Sequence, residues 1–159
     1  MDLDDWLLAL HLVTAAALLG GLVLLASVAV SIRSADAPAP TLALGRLANV
    51  GTASVIVGTT GTLIFGVWLA VSLDGVEIWD GWVIAGIVLW ALATGAGQRA
   101  GAEYDKALDR AKQLDADGRD GPDAGLLALN RTSLGAAAMT VSLILAILVL
   151  AVMIWKPGA

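Results

Sequence analysis

Leu134–Trp155, LGAAAMTVSLILAILVLAVMIW, runs for 22 residues without a charged side chain, with Arg131 just before it and Lys156 just after. An α-helix needs about 20 predominantly apolar residues to cross roughly 30 Å of hydrocarbon, and this stretch meets that length. Its apolar residues do not alternate with polar ones, as a barrel strand would require. Three further stretches read the same way, at about 6–32, 50–73 and 79–97, beside the first at about 134–155. In lipid, a helix satisfies every backbone amide within its own segment, so helices are the expected spanning elements. The expected fold is all-α: a polytopic membrane protein forming an antiparallel four-transmembrane-helix bundle, one domain over residues 1–159.

Composition agrees. Of 159 residues, 58% are hydrophobic and 14% charged, with a mean hydropathy of +0.85. Soluble domains are nearer half apolar and a quarter charged. The absence of cysteine excludes disulfides, thiolate catalysis and zinc–thiolate sites, and a single histidine excludes a multi-histidine metal site within one protomer. A net charge of −5 without a basic stripe argues against nucleic acid as a partner. Asp2, Asp4 and Asp5 stand where a secretory signal would carry positive charge.

Charge sets the expected orientation. Arg33 and Arg46 belong to the first connection, and Arg99, Lys106, Arg110, Lys112, Arg119 and Arg131 to the third; only Lys156 lies elsewhere. The positive-inside rule makes those connections cytoplasmic, the larger at about 98–133, and puts both termini outside. Trp6, Trp68, Trp79, Trp82 and Trp155 collect at the opposite span ends, where indoles favour the headgroup layer. The outer acids Asp2, Asp4, Asp5, Asp74, Glu77 and Asp80 form either a solvated rim or a weak cation-attracting surface.

Within the connections, Ala37-Pro38-Ala39-Pro40 reads as a short extended turn, with Thr41 capping the helix that follows. Asp74-Gly75 marks a tight turn and Asp80 a favourable helix N-terminus. Helix three is expected to continue through Glu103–Leu114, supported by Glu103/Lys106 and Asp109/Lys112. A polar break over Asp115–Gly121 should precede a restart near Gly125.

Two features carry the functional candidates. His11 lies inside span one near the outer side; it is either an imidazole bonded to a neighbouring helix or a ligand for haem b or copper. Met153 is the second soft ligand at that depth, Met139 lying too far inward; a bis-histidine haem would need His11 from two protomers. Ser54, Gly58, Thr62, Gly66 and Ala70 recur every fourth residue on span two. They form a helix-packing stripe or, through threonine hydroxyls, a wetted path; Ala16, Ala17, Gly20 and Gly21 offer a matching surface. Trp90, midway along span three, either packs the bundle or lines a cofactor or lipid pocket. No charge lies deep in a span, which weighs against a proton-coupled transporter.

Leu10-His11 followed by Gly20-Gly21 resembles the first helix of copper-resistance protein D-like and HemJ-type membrane proteins. A likeness over nearly the whole chain is to domain-of-unknown-function family 2269, predicted integral membrane proteins. It rests on Asp5-Trp6-Leu7-Leu8, Gly61 with Gly66-Val67-Trp68-Leu69, Trp79 and Trp82, and Met153-Ile154-Trp155-Lys156-Pro157-Gly158. The haem-linked resemblance implies that His11 matches their helical histidine. The intramembrane lysine of the HemJ-type enzymes has no counterpart here, and Leu18 stands where relatives often carry tryptophan. The expected function is a non-catalytic component of a membrane assembly or homo-oligomer in the cell membrane, partnered by the lipid bilayer. The alternative is a haem- or copper-binding redox protein using His11.

Overall fold

Among the described residues five helices follow one another, with a 3₁₀ turn (Ile32–Ser34) after the first: α1 (Leu3–Ser31), α2 (Pro38–Ser72), α3 (Gly81–Ala116), α4 (Ala124–Asn130) and α5 (Ser133–Trp155). The computed structural model describes residues 3–72 and 79–155, Ala70 by its backbone alone. Asp2, the Asp74-Gly75 turn, Glu77, Lys156-Pro157-Gly158 and the Ala70 side chain lie outside the described residues. No strand occurs among those described. α1, α2, α3 and the α4–α5 segment are each long and apolar enough to cross a membrane.

Contacts fix how the helices pair. Along α1 and α2, His11 meets Gly66, Thr14 meets Gly61, Leu18 meets Gly58 and Leu25 meets Gly51, so the numbers rise on one helix as they fall on the other. That is antiparallel pairing. α3 and α5 do the same, through Gly86 with Met153, Gly97 with Ser142 and Glu103 with Gly135. Ser142 Oγ also donates to the Ala93 carbonyl at 2.9 Å. The two hairpins meet each other chiefly where the start of α2 lies against the end of α3, Gly45 facing Leu108.

The first connection departs from the expected extended turn. α2 begins at Pro38, because prolines in a first helical turn lack only amides that would have no helical partner. Thr41 is therefore inside the helix rather than capping it. Its hydroxyl donates to the Ala37 carbonyl at 3.0 Å, and the residue is wholly buried.

α3 changes character along its length. From Ala100 onward it buries one stripe, Ala100, Glu103, Ala107, Ala111 and Leu114, at the period of an amphipathic helix. Leu126 of α4 closes over Ala107, Ala111 and Leu114, with Leu42 and Leu129 at the margin. Glu103 stays ionised within the stripe because Lys106 hydrogen-bonds it at 2.8 Å and Arg99 pairs with it at 3.2 Å; its pKa is lowered, chiefly by Lys106. The helix stops at Gly118, whose φ of +68° suits glycine; Arg119 N–H reaches the Leu114 carbonyl and Gly118 N–H the Asp115 carbonyl. Thr132 Oγ1 then accepts from Gly135 N–H to start α5.

Three hydrogen-bonding links clasp the hairpins at this end. Asn130 Nδ2 donates to the Ala35 carbonyl (2.8 Å) and to Thr41 Oγ1 (3.0 Å). Arg131 Nε donates to the Arg33 carbonyl, and Asp123 N–H to the Asp36 carbonyl. The apolar lengths, by contrast, are open. At most 22% of any candidate span is buried. The accessible surface is 9068 Å², against about 7,500 Å² for a compact soluble chain of 16.2 kDa.

Asp123 makes this clasp acid-sensitive. Its carboxylate caps α4 by accepting from Leu126 N–H at 2.8 Å and pairs with Arg110 at 3.1 Å, and the pKa falls below the ordinary 3.8, first through the Leu126 bond. A depressed folded-state pKa gives stability that is present above the unfolded value and lost as pH falls through the folded one. Thermal melts in detergent should therefore lose stability on acidification through that window. Asp123→Asn should melt lower at neutral pH and show a smaller acid loss; an unchanged acid profile would remove Asp123 from the clasp.

Candidate functional site

Because, among the described residues, the hairpins are tight within themselves and clasped at one end, a cleft is left between them. It encloses about 600 Å³, within the ~300–1,000 Å³ range of small-molecule sites. His11 and Met153 line its tryptophan-rich end, and Gly45, Tyr104, Asp105 and Leu108 its basic end. Sequence reasoning placed His11 and Met153 at one depth, and they line one cavity. Met139 lines it too, together with a second space of about 140 Å³ behind Tyr104.

His11 is held from α2. Its Nδ1 lies 3.1 Å from the Thr62 carbonyl, an acceptor only, so Nδ1 donates in this bond. Gly66 makes this possible. A Cβ there would stand 2.9 Å from His11 Cε1 and 3.0 Å from Nδ1. Thr62 Oγ1 donates to Thr14 Oγ1 at 3.4 Å, and Thr14 donates back to the Leu10 carbonyl at 2.9 Å. Met153 rests its methyl over Gly86, where a Cβ would come within 2.9 Å. Among the described residues, no group of three or more His, Cys, Asp or Glu could hold a metal ion. The residues present thus offer one oriented imidazole and one thioether.

The packing stripe includes Gly58, Thr62 and Gly66 from the expected ladder, joined by Gly51, Val55 and Gly61. Steps of four residues overshoot a helical turn by about 40° each, so a contact stripe alternates threes and fours instead. Gly21 of α1 meets Gly51 and Val55, whereas Gly20 meets nothing within 4 Å.

The cleft's walls differ in polarity. The α2 and α3 sides carry Asn49, Thr52, Thr59, Thr94 and Gln98; the α1 and α5 sides carry mostly leucines, valines, alanines and methionines, with His11 and Ser142 among them, the Ser142 hydroxyl donating to the Ala93 carbonyl. Trp90 begins the α3 wall of the cavity, but its Nε1 is shut off from solvent without a hydrogen-bond partner among the described residues. Burial raises the Tyr104 phenol's pKa against the opposing pull of Arg33. The clasp residue Asn130 escaped the sequence reading; its place in a polar connection before α5 gives no periodic signal.

The two stripe glycines predict different outcomes. A Cβ at Gly58 would run into the backbone of Leu18, which cannot turn aside, so Gly58→Ala should destabilise by about 1–3 kcal/mol. Gly66→Ala meets only an imidazole edge; it should cost less and loosen the His11–Thr62 bond. Detergent melts with nitrogen-15 histidine spectra would check this, equal losses from both variants counting against it.

Comparison with family models, curated proteins and solved structures finds no match to this chain.

Proposed function

We propose that the chain is a multi-pass cell-membrane protein with both termini outside, working without catalysis as a component of a membrane assembly or homo-oligomer. The resemblance to domain-of-unknown-function family 2269 belongs to the same proposal. The observation that carries it is the inverted distribution of burial. Leu126, Ala107 and Asn130 are fully buried in the polar connections, while Val13, Val23, Ile56, Ile64, Val88 and Ile147 are exposed on the apolar lengths. Exposed apolar patches of that extent mark a surface solvated by lipid or covered by protein. The clasp gathers Arg33, Arg110, Arg119 and Arg131, and exposed Trp6, Trp68, Trp79 and Trp155 belong to the other helix ends, which supports the inside-positive orientation. Trp82, expected in that girdle, is buried. Gly20 and Gly95 meet nothing within 4 Å and leave smooth places where another helix can approach.

A reporter enzyme that needs disulfides should be active when fused after Ala159 and inactive when inserted at Gly121. The reverse pattern would sink the orientation. A lone chain in its micelle, without co-purifying protein, would remove the assembly.

A second reading is favoured by the His11 hydrogen bond. Ligating histidines characteristically donate their other N–H to a carbonyl or carboxylate, as Nδ1 does here. His11 would hold haem b or copper through Nε2, with Met153 as the second donor on the same cavity; the bound group would supply one-electron redox chemistry. Protein expressed with haem and copper available should then show a Soret band or stoichiometric copper, lost in His11→Ala and altered in Met153→Leu. A colourless, metal-free preparation rejects this reading.

A further inference from the structure

We infer that the cleft between the hairpins binds a neutral single-chain lipid, its hydrogen-bonding head toward the basic end and its hydrocarbon toward His11. Shape comes first. The α3 wall runs from Trp90 to Leu108, about 27 Å of helix, so the 600 Å³ is drawn out along the bundle. That is the form of an extended chain rather than of a compact solute.

Chemistry gives the rest. Asn49, Thr52, Thr59, Thr94 and Gln98 line one side, and none of these side chains has a hydrogen-bond partner among the described residues. Thr14, Thr41 and Thr140 show the usual alternative, each donating to the carbonyl four residues back. Polar groups in an apolar setting need partners. Water alone fits poorly, because an ordered water needs two to four polar neighbours and the facing α1 and α5 wall supplies none along Leu18, Leu22 and Val149. An amphipathic chain satisfies both walls. Asn49, Gln98 and Asp105 concentrate the polarity at the basic end, which places the head there. No lysine or arginine lines this cavity to pair an anionic head, and Asp105 lines it, so a head without negative charge fits.

This inference rests on the membrane reading, and one experiment separates them. The full chain, extracted in mild detergent, is incubated with radiolabelled monooleoylglycerol and passed through gel filtration. About one lipid per chain should co-elute, displaced by unlabelled monooleoylglycerol but not by equal oleic acid or octadecene. Ala146→Phe, on the apolar wall, should weaken retention about tenfold. Asn49→Leu with Gln98→Leu, at exposed positions, should abolish the preference over octadecene while leaving the thermal melt unchanged. No retention above the detergent blank, or equal displacement by octadecene, overturns the inference. Should Ala146→Phe fail to fold, the displacement series and the double variant decide. Recovery of the chain without detergent would instead overturn the membrane reading.

Discussion

Asn130 carries more of this architecture than any apolar residue. One buried amide, on the last residue of α4, reaches a carbonyl before α2 and a hydroxyl inside it. The hairpins touch little elsewhere, so their relative position is set where the amide sits, with the bonds of Arg131 and Asp123 beside it. A buried amide is satisfied only in a narrow set of directions, whereas leucines against leucines tolerate sliding. The angle between two otherwise smooth hairpins thus comes from polar geometry at one end.

The cleft follows from that clasp. Within α1–α2, glycines let backbones meet; within α3–α5, Gly86, Gly97 and Gly135 do the same. Between hairpins, Gly45 with Leu108 is the close approach of this kind among the described residues, and it lies beside the clasp. Beyond it the helices diverge around the cavity. Gly66 serves both levels, as part of the α1–α2 seam and as the space in which His11 lies flat against α2.

What the sequence disclosed divides along the same line. Long uncharged runs announced the four helices, and the amphipathic continuation through Glu103–Leu114 was readable because the ion pairs and the buried stripe share a helical period. His11 and Met153 could be singled out because each is a fixed number of residues from a span end, and both line the cleft. The α2 start was misread because Ala-Pro-Ala-Pro suits an extended turn and a first helical turn equally well. Only its contacts with residues some ninety positions away decide between them. The cleft was invisible for a related reason: in an apolar span every face looks alike, so periodicity cannot separate a wall facing a partner helix from one facing a cavity.

α3 supplies the comparison that bears most on the solvent. Its last turns obey the rule of water, burying alanine and leucine and exposing Lys112 and Asp109. Its first turns expose Ile84, Ile87, Val88 and Leu92 instead. One continuous helix in one solvent would be expected to follow one rule. The change of rule along an unbroken backbone falls between Leu92 and Ala100, the stretch where Gln98 and Arg99 stand, and it fits the membrane boundary proposed above. The open polar wall of the cleft spans that same boundary, from Thr94 in the apolar half to Asp105 in the polar half. A ligand suited to it must itself change character midway.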